Sequence, residues 1–413
     1  MASAEKEFVY DPFSPEVMAN PLPFYEVLRE QHPVYYSEQY DTFFLSRFED
    51  VLEFLSVVDG TFGTPEGTVI ARDTLLHDNE GVAPPWPPTE PLISLQQGSP
   101  IYEEVRQAHG KELRPGSVAR MEEFIRELAR RRLDILVPRG RFDLTQQFGG
   151  IVSASVMCNL LHIPLEEAKY LLDTVNSTTT TESGGGLDFM GMFETCADIL
   201  EPIVRARREE GPDGSWEGID GMLGFDLDGR RLSDREVAYN LECVLIGGTE
   251  TLPKVVAHGL MELWRHPDQL EEVRADLKTN CRVAFNEMNR FCGPAQWFGR
   301  TALADTEVAG TPVRAGQRVI YLLQSAARDP REFGDDADEF RWNRPIEREL
   351  AFGYGQHFCI GVHVARLEGR VLLEEFLARV AEYEIDLENA VRAPSSFQWG
   401  WNPLPVKILA EAA

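Results

Sequence analysis

The chain lacks the features that support the commonest functional readings. No two of its six cysteines (Cys158, Cys196, Cys243, Cys281, Cys292 and Cys359) form a Cys-x-x-Cys pair, and they show no short regular spacing, so neither a zinc ribbon nor a disulfide framework is indicated. The eight histidines include no His-Glu-x-x-His pair, which removes the usual metalloprotease reading. There is no Gly-x-x-x-x-Gly-Lys loop, and no Gly-x-Gly-x-x-Gly turn follows a strand, so the common phosphate and dinucleotide cradles are missing. No run of eighteen apolar residues is available to cross a bilayer. The first ten residues carry Glu5, Lys6 and Glu7 and have no apolar segment for a secretory signal, so the cytoplasm is the default compartment. Basic side chains are outnumbered: 40 Lys and Arg against 68 Asp and Glu give a formal charge of -28 over 413 residues. That balance favours solubility and opposes binding to nucleic acid or an anionic membrane, both of which need clustered cations.

What is present is ample material for a large core: 43% hydrophobic residues, with 23 Phe, 11 Tyr and 7 Trp. The pattern predicts a mainly α fold with small β-sheets, an α+β chain organised as one domain over residues 1–413. A short helix is expected over Pro21–Gln31, a strand over Thr42–Ser46, a helix over Met121–Leu136 and another over Val362–Ala381. Glu307–Val319 alternates between turn glycines and reads as a small sheet, and a last strand ends at Val406–Leu409. Asp59–Gln97 reads as a long loop because Pro84, Pro85, Pro87 and Pro88 exclude a regular helix or central strand. Thr178–Gly186 and Gly211–Gly229 read as irregular. Ser233 followed by Glu236 forms a capping box that opens a long apolar helix over about 234–264, ended by His266-Pro267.

The segment richest in chemistry is 352–361, Phe-Gly-Tyr-Gly-Gln-His-Phe-Cys-Ile-Gly. Its glycines permit tight turns and close approach to a flat partner. Cys359 sits just ahead of a helix, where free amides and the helix dipole favour a thiolate. A thiolate held by backbone donors is an axial ligand suited to haem iron. Gly247-Gly248 within the long helix costs about 1 kcal/mol per glycine relative to Ala, and the acid Glu250 stands next to the alcohol Thr251. Pro253 removes a further helix hydrogen bond, so a local break is expected there.

These stretches resemble the cytochrome P450 monooxygenases. Phe352, Gly355, His357, Cys359 and Gly361 match every fixed position of that family's haem loop, and Gly247–Thr251 matches its acid-alcohol pattern, 108 residues before Cys359. The resemblance spans essentially the whole chain and implies a triangular-prism-like fold, haem b, and Cys359 as the iron ligand. It also implies proton delivery by Glu250 and Thr251, with Gly248 at the haem face. Glu287 and Arg290, completed by Arg344, correspond to the family's buried structural set. Arg106, Arg300 and His357 are implied as propionate partners, with Tyr102 standing where the family often has His. The implied reaction puts one oxygen atom from dioxygen into an organic substrate. Electrons would come from a separate ferredoxin, docking near Lys111, Arg114, Arg120 and Arg366, and the chain is expected to be a monomer.

The implied pocket draws on Trp86, Leu92, Ile93, Leu245, Gln296, Trp297, Phe298, Phe397, Gln398 and Trp399. This apolar, aromatic roster points to an uncharged small or medium aromatic substrate. A terpenoid or steroid-like compound is the other substrate reading. Outside the monooxygenases, a haem-thiolate sensor, an electron carrier or a peroxide-driven enzyme would keep Cys359 but would not need the Glu250–Thr251 pair.

Overall fold

The computed structural model describes residues 8–76, 102–179, 189–227, 229–393 and 395–412. Seven helices position the site: α1 (Tyr102–His109), α2 (Glu122–Leu136), α3 (Ile151–Leu160), α4 (Phe189–Glu210), α5 (Asp234–Arg265), α6 (Leu277–Cys292) and α7 (Val362–Arg379). Helix α5 is the central member and starts where its capping box predicts. Ser233 Oγ accepts from the Glu236 amide at 3.2 Å, and the Glu236 carboxylate accepts from the Ser233 amide at 2.7 Å. It is buried along most of its length because α3, α4, α6 and α7 pack around it. An apolar stripe on one side would leave such a helix half exposed; α5 is buried on several faces, its apolar residues joined by buried Glu250, Lys254, His258 and Glu262.

Helix α5 does not break at Pro253 but is continuous over its 32 residues. The ring is accommodated because a π-helical turn, Leu144–Gly150, passes beside it and presents Gly149, where a Cβ would lie 3.1 Å from Pro253 Cα. Among the described residues, no helix is long and apolar enough to cross a membrane.

A five-stranded sheet flanks the helices. Its strands are β1 (Val34–Ser37), β2 (Thr42–Leu45), β3 (Phe62–Gly63), β5 (Trp297–Ala302) and β6 (Arg318–Leu322), in spatial order β1-β2-β6-β5-β3. β4 (Arg141–Asp143) pairs instead with β8 (Pro405–Glu411), which also pairs with β7 (Val380–Ile385). The segment read as one local sheet, Glu307–Val319, divides in two. Thr306–Val308 and Thr311–Val313 form a hairpin, whereas Arg318–Leu322 leaves it to pair in parallel with β2, some 275 residues away in sequence. Gly211–Gly229 is also more regular than its composition suggests, with a helix at Glu217–Leu223 and the start of a two-strand ribbon at Asp226–Leu227.

Electrostatics and close approach hold the bundle together. Arg126 of α2 bridges to Glu374 at 2.7 Å and Glu375 at 2.5 Å on α7. Helix α7 passes so near α6 that a Cβ on Gly369 would lie 2.1–2.6 Å from the Phe285 ring. Gly369→Ala is expected to lower stability by about 1–3 kcal/mol through overpacking. Gly116→Ala, where a Cβ meets nothing within 4 Å, should be neutral or stabilising by up to about 1 kcal/mol. Thermal melts of the two variants check the contrast.

Candidate active site

The loop at 352–361 wraps tightly around Cys359. Gly353 and Gly355 both take φ of +71°, and a Cβ on Gly355 would lie 2.3 Å from the Leu55 carbonyl oxygen, so the turn tolerates only glycine there. The Cys359 amide donates to the Phe352 carbonyl at 2.8 Å, closing the loop. Gly361 caps α7, and its amide hydrogen-bonds the cysteine sulfur. The thiol lies deep in the molecule, while Cys359 as a residue keeps partial exposure. Burial pushes the thiol up; the Gly361 amide, Arg106 and Arg366 oppose that.

Beside this loop lie two arginines and a histidine with no carboxylate among the described residues to pair them. Arg106 donates to the Phe358 carbonyl and, at 3.4 Å, to Tyr102 Oη. Tyr102 Oη lies 3.1 Å from His357 Nδ1 and donates to the Gln356 carbonyl at 3.2 Å. Tyr102 therefore braces the loop through its ring and hydroxyl. Arg300 lies over the Phe54 ring at 5.2 Å and donates to the Phe54 carbonyl at 3.3 Å. Burial, then Arg300 and Arg106, lower the His357 pKa to about 3. Arg300 Nη2 and His357 Nε2 are buried without a partner. The unpaired Arg300 donor calls for an anion, and a carboxylate of haem b fits it; His357 Nε2 donates beside it in the tautomer whose Nδ1 accepts from Tyr102.

Helix α5 carries the glycine segment, and its Cys243 lies close enough to Tyr102 to act on the phenol electrostatically. Gly247 is exposed, with open space where a Cβ would sit, and Cys243 and Thr251, each four residues away, are partly exposed on the same face. Gly248, expected at the haem face, serves helix packing instead, since a Cβ there would lie 2.1 Å from Met157 Sδ of α3. Thr251 Oγ1 donates to the Gly247 carbonyl at 2.9 Å. Glu250 is 4% exposed and turned away from that face; Oε1 accepts from Lys254 Nζ at 2.6 Å and Oε2 accepts from Gln398 Nε2.

Several expected pocket residues have other work. Leu245 sits fully buried in the helical core. Gln296 accepts from Tyr25 Oη at 3.0 Å and donates to the Ser396 carbonyl at 3.1 Å. Trp297 also donates to that carbonyl, at 2.8 Å, and packs against Phe13. Gln398 holds Glu250, and Trp399 is buried under the Arg392 guanidinium at 3.5 Å. Phe298 and Phe397 keep partial exposure and meet edge to face at 5.2 Å. Strand alternation places Phe298 on the Arg300 side of β5. Trp86, Leu92 and Ile93 lie outside the described residues. Sequence reasoning missed Lys254, although its i+4 spacing from Glu250 was a usable signal.

Glu287, Arg290 and Arg344 form one buried network. Glu287, with no exposed surface, takes two 2.7 Å bonds from Arg290 and one of 3.3 Å from Arg344. Arg290 also donates to the Ala327 and Ala337 carbonyls, and Arg344 to those of Phe333 and Asp336. Glu287→Gln leaves two buried guanidiniums facing a neutral amide. It is expected to cost about 3–5 kcal/mol, read by denaturant unfolding, and to lower the fraction of protein purified with haem.

The family model for cytochrome P450 matches residues 281–409. The chain is 30% identical over 322 residues to cytochrome P450 126 of Mycobacterium tuberculosis, covering 75% of each chain. It is 29% identical over 420 residues to cytochrome P450 123 of the same organism, covering 98% of each. The solved structure of cytochrome P450 CYP109Q5 from Chondromyces apiculatus superposes with a TM-score of 0.80 at 26% identity, covering 98% of this chain and 99% of that one. This chain therefore belongs to the cytochrome P450 family and is a monooxygenase of the bacterial type, working with haem b held by a cysteine thiolate.

Proposed function

We propose that Cys359 is that thiolate, and that the enzyme oxidises an uncharged, small or medium aromatic compound with electrons from a ferredoxin. The observation that carries the substrate reading is the half-buried Phe298–Phe397 pair on the Arg300 side of the sheet. Two edge-to-face rings offer a slot for a third ring, and neither they nor Cys243 and Gly247 bring a fixed charge. Bound haem supplies the activation of dioxygen, with one atom entering substrate and the other leaving as water as two electrons and two protons are consumed.

The protein's own side chains set the conditions for that chemistry. Arg106, Arg300 and His357 hold the haem carboxylates, and Tyr102 fixes the His357 ring. The Gly361 amide and the start of α7 stabilise negative charge on Cys359 Sγ. Thr251 Oγ1 stands on the open face of α5 with its lone pairs available to receive a proton, and Glu250, the adjacent acid, supplies it on turning from Lys254 and Gln398 toward that face. For the electron donor, Lys111, Arg114 and Arg120 are exposed and form no ion pair among the described residues. Arg366 is committed to Glu349 at 2.6 Å and to the Phe352 ring, so docking rests on the other three.

Three measurements test this reading. Titration of the ferric protein with methoxyarenes is expected to move the Soret band to shorter wavelength saturably, while terpenes and steroids leave it in place; the reverse pattern selects the alicyclic reading. Thr251→Ala should keep consuming reducing equivalents while product falls by on the order of tenfold or more and hydrogen peroxide rises. Arg114→Glu should slow ferredoxin-driven turnover by about tenfold at low salt and by less at high salt.

A further inference from the structure

Glu250 is the first of four buried ionisable side chains spaced four residues apart on α5: Glu250, Lys254, His258 and Glu262, exposed by 4%, 1%, 4% and 5%. Each step of four along a helix rises about 6 Å and turns about 40°, so the four lie in one slowly winding row about 18 Å long. Burying one such group without a partner is costly, and four in register along a central helix need a reason. The contacts are sequential. Lys254 Nζ donates to Glu250 Oε1 at 2.6 Å, and His258 Nε2 lies 3.5 Å from Glu262 Oε1. Glu262 Oε1 accepts from Arg265 at 2.8 Å, and the Arg265 side chain is 42% exposed. The row therefore runs from the relay acid to solvent at the C-terminal end of α5.

We propose that this row is a proton-supply line, carrying protons from bulk water at Glu262 through His258 and Lys254 to Glu250. The inference rests on the reading of Glu250 and Thr251 as the proton relay and names what feeds it. The chemistry balances one proton at a time, with no electron moved. Glu262 takes a proton from water and passes it to His258 Nε2; the imidazolium gives up its Nδ1 proton toward Lys254; and the Lys254 ammonium has meanwhile passed one to Glu250 Oε1. Glu262, Lys254 and Glu250 return to their starting states, and His258, left as its Nε2–H tautomer, returns to the Nδ1–H form by a turn of the ring before the next proton enters. The open step is between His258 and Lys254, one turn apart. His258 Nδ1 is buried with no partner, which is the hydrogen-bonding group that a bridging water at this step requires.

The surroundings suit the task. Burial lowers the His258 pKa, and Arg392 and Arg328 act in the same direction against the opposing pull of Glu262, so the resting ring is neutral and able to accept. Gln398, from the C-terminal turn, holds Glu250 Oε2 and keeps the carboxylate facing Lys254. A Cβ on Gly400 would lie 3.2 Å from Lys254 Cβ and Cδ, so the same turn closes over the lysine and excludes water from the side.

The chain has six lysines, so nitrogen-15 lysine labelling isolates the Lys254 ammonium by NMR in the diamagnetic, reduced and carbonyl-ligated holoprotein. His258→Leu and Glu262→Gln are each expected to slow exchange of the Lys254 ammonium protons with water by about tenfold or more, and Glu262→Asp to restore it. In turnover, the same two variants should shift electrons from product to hydrogen peroxide and raise the solvent deuterium isotope effect on product formation. Glu262→Gln decides the matter if His258→Leu does not fold. Wild-type exchange and wild-type coupling in Glu262→Gln, with a normal Soret band, overturn the proposal and route protons to Glu250 from the substrate side. If Thr251→Ala uncouples while Glu262→Gln changes nothing, the supply line alone fails; if Thr251→Ala also leaves coupling intact, the relay reading fails with it.

Discussion

The Glu287 carboxylate, with no exposed surface and two guanidiniums against it, is the interaction on which the architecture around the haem loop depends. A charge there is tolerable only because Arg290 and Arg344 neutralise it and spend their remaining N–H groups on backbone carbonyls of residues 327–339. One helix is thereby tied to an irregular stretch with little secondary structure of its own. That stretch leads into the cysteine loop, so the network sets where Cys359 arrives. Two glycines with positive φ then turn the loop, and the Phe352 carbonyl closes it.

The interior separates charge by sign. On the cysteine side, Arg106, Arg300 and His357 gather without an acid, although the chain as a whole carries -28. On α5, Glu250 is held by Lys254 and Gln398. An anion attracted to the first group would be repelled by an unpaired carboxylate nearby, and the Lys254 ammonium offsets the charge of Glu250 where it lies.

Legibility in the sequence followed locality. The capping box at Ser233–Glu236, the start of α5 and the loop at 352–361 all rest on residues within a turn or two of one another, and each appears where expected. Glu287, Arg290 and Arg344 were found through the family resemblance, and the structure brings them together. The pocket was the least legible. Gln296, Trp297, Gln398 and Trp399 have the right composition for binding a ligand, but each is consumed by Tyr25, Ser396, Glu250 or Arg392, partners up to 271 residues away. Which of two adjacent glycines faces the open side depended in the same way on Met157 of a neighbouring helix.

The sequence by itself determined the helix-rich class, the glycine turns around Cys359 and the acid-alcohol pair, because backbone sterics, capping and side-chain spacing act over a few residues. Only the tertiary structure decided which aromatics remain accessible, that β6 leaves its hairpin to pair with β2, and that Glu250 turns toward Lys254 and Gln398 rather than toward the open face. These outcomes are competitions for partners brought together by packing. A buried donor or acceptor takes whichever partner the fold presents, since leaving it unpaired costs about 1–3 kcal/mol, and that choice is made across the chain rather than along it.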